Sequence, residues 1–255
     1  MSESMLQVAE ALRQAERILI ITGAGLSADS GLPTYRGVGG LYNGNTEEGV
    51  PIERALSGPM LRHDPALCWK YLAQIAHACV AATPNSGHLA IAELQRRKQG
   101  CWVLTQNVDG LHIAAGSPPQ RVIEIHGTLK PLSCMECGLS SDDLSSHLDR
   151  PLPPRCAACD GVLRPSVVLF EEMLPESSLS QLRIQLALGF DAVLVVGTSA
   201  SFGYIVEPVL LARQSGGFTA QIDPAANELS MLVDIHLTGG AADVLSRLVR
   251  HILAD

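Results

Sequence analysis

ILIITGAGLSADSGLPTYR, residues Ile18 to Arg36, decides how this chain is read. Ile18, Leu19, Ile20 and Ile21 make an unbroken apolar run, the pattern of a strand buried on both faces of a parallel sheet. The run ends at Thr22, Gly23, Ala24 and Gly25. Glycines there let the backbone turn tightly and bring its N–H groups close to a phosphate, while the positive end of the following helix points to the same place. Such a turn can hold a diphosphate. The third glycine of the ordinary dinucleotide fingerprint is missing, since Ser27, Asp29 and Ser30 come before the next one, Gly31. Pro33 stops any helix early, and Arg36 supplies a fixed cation nearby. Taken alone, the segment also reads as an ordinary glycine turn.

Two further strands change that balance. Cys101 to Thr105 is apolar and β-branched enough for a central strand, and Gln106, Asn107 and Asp109 follow at its carboxyl end. Val122 to Ile125 repeats the pattern and delivers His126 to the same edge. Open α/β sheets bind ligands in the crevice beyond the carboxyl ends of their strands. A lone histidine at a strand end is usually structural, but three strands here aim glycines, amides, a carboxylate and an imidazole at one edge.

The rest of the chain organises around those strands. A helix over Met5–Glu16 leads into the first strand, and a second over Ser86–Gln99 leads into the strand at Trp102. Between them lies an excursion from Thr34 to about Ala82, with glycine-rich loops at 37–49 and a helical pattern over Pro65–Val80. It reads as a lid over the crevice or as an ordinary surface loop. Val167–Phe170, Ala192–Val196, Phe218–Ile222 and Ile235–Leu237 supply further strands. The expected fold is α/β, a doubly wound Rossmann-like parallel sheet built from residues 1–33, 83–130 and 165–255. A helical or lid insertion covers 34–82 and a zinc-ribbon insertion 131–164.

The ribbon comes from cysteine spacing. Cys134, Cys137, Cys156 and Cys159 form C-x2-C-x18-C-x2-C, in which each pair offers two thiolates from one tight turn. Four thiolates close a tetrahedral shell, so one Zn2+ held there is structural; disulfides and an iron site are the alternatives. Cys68, Cys79 and Cys101 sit in apolar surroundings and read as core residues.

Composition sets limits. At 255 residues, 47% apolar and 17% charged, the chain can bury a substantial core and is not disordered. A net charge of −8 argues against a nucleic-acid partner. The amino terminus lacks the pattern of a signal peptide, and longer apolar runs are broken, as Leu186–Val196 is by Asp191. A cytoplasmic protein without a membrane partner is expected.

GAGLSADSGLPTYR, TQNVDGLH, EIHG, the two CxxC pairs, RPSVVLFEEMLP and VVGTSAS occur in the order seen in sirtuins, the NAD-dependent protein-lysine deacylases. The resemblance spans about Ala9 to Leu248. It implies NAD+ as co-substrate, acylated lysine side chains of proteins as partners, and nicotinamide, acyl-ADP-ribose and free lysine as products. His126 matches the family's general base, and Asn107 and Asp109 match the residues that hold ribose, water and the nicotinamide carboxamide. The resemblance places Gly23, Ala24, Gly25, Ser27, Ala28, Tyr35, Arg36, Gln106, Gly197, Thr198, Ser199, Asp223 and Ala241 along the dinucleotide, and Val168 and Phe170 along the acyl-lysine tunnel. An ADP-ribosyltransferase or NAD hydrolase using the same pocket is one alternative, and a nonenzymatic NAD-sensing or interaction module another.

Three positions depart from the family pattern. Tyr35 replaces phenylalanine, Glu171 replaces the glycine of an FGE loop that pairs with the peptide, and Asp223 replaces an asparagine near the adenosine ribose. Members that remove succinyl or malonyl groups carry a Tyr-x-x-Arg on the helix after the lid loop. Leu72 and Ile75 stand at the matching register, with Gln74 at the nearest alternative. Without an arginine to pair a distal carboxylate, neutral acyl groups are expected as substrates.

Overall fold

The computed structural model describes residues 2–34, 45–199 and 202–254. The core is a six-stranded, wholly parallel sheet of β1 (Ile18–Thr22), β2 (Cys101–Thr105), β3 (Val122–Glu124), β7 (Ala192–Val196), β8 (Phe218–Asp223) and β9 (Ile235–Thr238). Their order is β3-β2-β1-β7-β8-β9. The order reverses between β1 and β7, which makes their carboxyl ends the switch point where such sheets open a crevice.

Helices cover both faces because the strands are apolar on both. One face packs α1 (Glu3–Gln14), α6 (Ser86–Arg97) and α11 (Ala241–Leu253) over Ile18, Ile20, Leu194 and Ile222. The other packs α9 (Glu176–Ala187) and α10 (Gly203–Gln214) over Leu19, Ile21, Val193 and Val195. Leu245 and Leu248 of α11 are fully buried, so truncating either to alanine costs about 2–5 kcal/mol. Caps fix the helix starts: Ser2 accepts from the Met5 N–H, and Asn85 accepts from Gly87 and His88 at the head of α6.

A second lobe grows from the same edge. It holds α3 (Ile52–Ala55), α4 (Gly58–His63), α5 (Pro65–Ala81), α8 (Leu144–Leu148) and a small antiparallel sheet of β4 (Gly127–Cys134), β5 (Ser140–Ser141) and β6 (Leu163–Val167), ordered β5-β4-β6. Helices and small sheet share one core. Trp69 and Leu72 of α5 pack with Leu132, Leu163 and Leu169, and the Trp69 indole N–H donates to the Leu163 carbonyl at 2.9 Å.

One strand expectation needs correcting. Val167–Phe170 does not join the parallel sheet: Val167 ends β6, opposite Gly127, and Phe170 forms only a single bridge with Ser57. Pro165 has no N–H to donate, which suits β6 to the edge of the small sheet rather than a central position. The small sheet also extends past the expected limits of 131 and 164 at both ends, so it starts directly after His126.

Candidate active site

β1 turns into the short α2 (Ala24–Ser27), and the glycines of that turn are spent on the neighbouring strand. The Gly23 N–H donates to the Val196 carbonyl at 3.1 Å and the Gly25 N–H to the Gly197 carbonyl at 2.9 Å. A Cβ on Gly25 would come within 2.7 Å of Gly197 Cα, and one on Gly23 within 2.7 Å of Thr198 Cβ. The need for glycine is therefore close packing across the switch point, and these two N–H groups already have partners. Ala28 follows in a short 3-10 turn, where Pro33 and the left-handed Gly31 end the helical run.

Beyond β2, hydrogen bonds fix the polar groups one by one. The Asn107 amide nitrogen donates to the Gly23 carbonyl at 3.0 Å and to Ser27 Oγ at 3.1 Å. With its donors committed, Asn107 has its carbonyl oxygen left to offer. The Ser27 hydroxyl donates in turn to Asp109 Oδ2 at 2.7 Å, and Asp109 Oδ1 accepts from the Leu111 N–H at 2.9 Å. Ser27 thus locks the amide and the carboxylate together. Beneath them, Thr22 and Thr105 lie side by side in register; Thr22 donates to Thr105 at 2.9 Å, and Thr105 Oγ1 accepts the Asn107 N–H at 3.1 Å. Since Thr22 uses its proton this way, His112 Nε2, 2.9 Å from it, is the donor. Burial brings the His112 pKa down to about 3, so this ring is neutral.

His126 follows β3. Its Nδ1 faces the Gln106 carbonyl at 2.9 Å and its Nε2 faces the Tyr204 hydroxyl at 2.6 Å. Burial pulls its pKa below the ordinary histidine value, partly opposed by the bond to Gln106. Gln106 also donates from its side chain to Thr198 Oγ1 at 2.8 Å, tying the end of β2 to the loop after β7. Glu124, two residues before His126, has its carboxyl pushed up to about 7 by burial, with Asp109 adding to the effect.

A partly open cleft lies beside these groups. Ser27, Asn107 and Asp109 form its polar side, while Ile75, Ala78 and Cys79 of α5 form an apolar wall with Leu32 and Pro33. Ile75 therefore faces the cleft, whereas Leu72 is buried in the second lobe and Gln74 is exposed. No cationic side chain is among the described residues lining the cleft.

The loop after β6 meets the site from that lobe. The Val168 N–H donates to the His126 carbonyl at 2.8 Å, and Phe170 exchanges backbone bonds with Leu56 and Gly58, each at 3.0 Å. Glu172 clamps the loop: it receives two bonds from Arg164, at 2.7 and 2.9 Å, and one from the Leu169 N–H at 2.9 Å. Glu171 is exposed and left-handed at φ 65°, a conformation that favours glycine.

Two expected cofactor residues, Asp223 and Ala241, stand apart from this constellation. Asp223 ends β8, where its carboxylate accepts from the Ala225 N–H at 3.1 Å and burial raises its pKa. Ala241 opens α11 with its side chain packed in the main core. Gly197 and Thr198 follow β7 against the Gly23–Gly25 turn, and Ser199 comes next in the chain. Tyr35 and Arg36 lie outside the described residues.

The four ribbon cysteines converge, with all Sγ atoms within 4.8 Å of one another. Cys134 and Cys159 are 3.5 Å apart and Cys137 and Cys156 3.7 Å. Thiolates around a tetrahedral zinc at about 2.3 Å stand about 3.8 Å from each other, so the set fits that ion. The Cys137 N–H, with that of Glu136, brings the Cys134 thiol down to about 6, while the neighbouring thiols push Cys159 up to about 12. Cys68, Cys79 and Cys101 differ from Cys134, since burial pushes each up to about 12.

A family model described as the Sir2 family matches residues 23–203. The chain belongs to the Sir2 family. It is 68% identical over 245 residues to a Pseudomonas aeruginosa protein named NAD-dependent protein deacylase 2, covering 96% of each. A Sir2 homologue solved with ADP-ribose superposes with a TM-score of 0.86 at 35% identity, covering 99% of this chain and 96% of that one. A Sir2 protein bound to a myristoylated histone peptide gives 0.80 at 27% identity, covering 99% and 97%. In this Sir2 chain the sequence reading missed Tyr204 and Phe202, whose rings meet His126 edge-on, and the buried His112–Thr22–Thr105 chain. The aromatic pair follows the GTS turn closely, which was the available signal.

Proposed function

We propose that this protein is an NAD-dependent protein-lysine deacylase acting on neutral acyl groups, with nicotinamide, acyl-ADP-ribose and free lysine as products. The observation that carries this reading is His126, neutral and with Nδ1 committed to Gln106, poised at the sheet edge beside Val168 of the second-lobe loop.

NAD supplies a ribose carbon that becomes cation-like as nicotinamide departs, and a weak acyl-amide oxygen is then nucleophile enough. The protein's task is orientation. Asn107, with its carbonyl oxygen uncommitted, and Asp109, locked through Ser27, hold the carboxamide, ribose and water on the polar side of the cleft. His126 Nε2 then takes the proton of a ribose hydroxyl, so that this oxygen attacks the captured acyl carbon. Gly23, Ala24, Gly25, Ala28, Arg36, Gly197, Thr198, Ser199, Asp223 and Ala241 line the dinucleotide in this reading, and Tyr35 forms the wall near nicotinamide. Val168 and Phe170 flank the lysine. Cys134, Cys137, Cys156 and Cys159 hold one Zn2+ that braces the second lobe without touching the chemistry. Residues 34–82 act as the helical lid segment and 131–164 as the zinc-ribbon module of an NAD-binding α/β domain. The protein works in the cytoplasm in this reading; among the described residues no helix is long and apolar enough to cross a membrane.

Ile75 in the cleft supports the acyl preference, because a distal carboxylate would meet an apolar wall with no guanidinium among the described residues that line it. Mass spectrometry of an acetyl-lysine peptide, with and without NAD, tests the reading. Acetyl-ADP-ribose formed only with NAD and lost in His126→Ala is the expected result. Nicotinamide release without deacylation would favour a transferase or hydrolase. Desuccinylation as fast as deacetylation would overturn the acyl preference.

A further inference from the structure

The hydrogen bonds around His126 have a fixed direction. The Gln106 carbonyl can only accept, so Nδ1 carries the single proton of the neutral ring and Nε2 carries its lone pair. That lone pair is already occupied. The Tyr204 hydroxyl lies 2.6 Å from Nε2 and must be the donor. Burial pushes the phenol up to about 12, so the hydroxyl keeps its proton at any ordinary pH.

Tyr204 is held there by its surroundings. Its ring stacks on Phe202 at 5.3 Å, and the two rings meet the imidazole edge-on at 6.0 and 5.9 Å. It stands in the first turn of α10, on the connection that begins with Gly197 and Thr198. Gln106 ties that connection to the base, since its side chain bonds Thr198 and its carbonyl bonds His126.

We propose that Tyr204 is a latch on the base: its hydroxyl fills His126 Nε2 and gives way to the ribose hydroxyl that Nε2 must deprotonate. This rests on the reading of Nε2 as the basic atom. A single lone pair takes one donor at a time, so the two hydroxyls exclude each other. Their exchange loses no hydrogen bond at the imidazole, because one neutral hydroxyl replaces another. Part of the NAD affinity is nevertheless spent on opening the latch, as for any protein whose binding-competent state is a fraction of the whole.

Calorimetric titration with NAD of four proteins tests this: wild type, Tyr204→Phe, His126→Ala and the double variant. Phenylalanine keeps the ring and its stacking and removes only the donor. Tyr204→Phe is expected to bind NAD about three- to tenfold more tightly, the equivalent of one neutral hydrogen bond. With the imidazole absent the same substitution is expected to change affinity by less than about twofold, which is the coupling that a double-mutant cycle isolates. Unchanged or weaker binding by Tyr204→Phe would overturn the latch. So would an equal gain in the His126→Ala background, since the hydroxyl would then act on the loop rather than on the base. Acetyl-ADP-ribose formation by His126→Ala at the wild-type rate would instead overturn the base assignment, a readout the binding cycle does not share.

Discussion

The two walls of the cleft are built by different physics. The sheet edge that carries Asn107, Asp109 and His126 rests on fully buried strands such as Ile18–Ile21 and Ala192–Val196, and each polar group is held by one or two directed hydrogen bonds. The facing wall belongs to a smaller lobe whose core includes the ribbon cysteines Cys134 and Cys156 along with Trp69. Hydrophobic burial builds the first, while the second is closer to the size at which small modules depend on a metal. In the proposed reading, the chemistry sits on the sheet edge and the acyl selectivity on the lobe that carries the cysteine set.

Zinc removal should separate the walls most strongly. Structural zinc in small modules contributes on the order of 10 kcal/mol, so chelation should unfold the ribbon while the parallel sheet persists. Trp69 reports the change, and Trp102→Phe leaves it as the only tryptophan. A red shift of its emission on chelation, with hydrogen-exchange protection retained in β1 and β7, is the expected pattern. Joint loss of protection in ribbon and sheet would show that the walls fold as one unit.

His126→Ala tests the opposite wall. Removing a general base costs about 10²- to 10⁴-fold in rate. The zinc content and thermal midpoint should stay near those of the wild type, because the ring is half-buried at the edge rather than in a core. A loss below tenfold would remove His126 from the chemistry.

The sheet edge was legible in the sequence and the lobe much less so. Short apolar runs ending in glycine, amide or histidine mark the ends of buried strands, and the residue after a strand end lands at the edge whatever the strand order. Partners from distant parts of the chain carry no such mark. His126 and Tyr204 are 78 residues apart and meet only because the carboxyl ends of β3 and β7 gather at one side. Val167–Phe170 misled for a related reason: an apolar run announces a strand but not its sheet, and Pro165 was the cue to an edge position. The Gly23–Gly25 turn had the right residues for an added reason, close packing on Gly197, which periodicity does not reveal.

The clamp between the walls predicts a smaller effect. Arg164 and Glu172 form a two-bonded, partly buried pair that positions the Leu169–Glu172 loop. Glu172→Gln keeps the shape and removes the charge, and should cost about 1–3 kcal/mol in urea unfolding. Because the loop touches the His126 carbonyl through Val168, the KM for acyl peptide should rise more than the KM for NAD. Equal increases would mean that the clamp steadies the whole cleft rather than the peptide side.

The gentlest test is pH. Burial lowers the His126 pKa, so the neutral ring that accepts a proton survives to more acid conditions, and the acid limb of kcat/KM for NAD should fall below pH 6.5. Glu124 moves the other way, to about 7, because its buried carboxylate is poorly solvated and faces Asp109. The two groups therefore predict different curves from neighbouring positions. A limb below 6.5 that is unmoved by Glu124→Gln assigns it to His126, whereas a limb near 7 that the substitution abolishes assigns it to Glu124. Stability supplies an independent check, since a carboxyl raised in the folded state favours folding while protonated. The wild type should lose that contribution as pH rises from 4.5 to about 7, and Glu124→Gln should flatten that slope without moving the His126 limb.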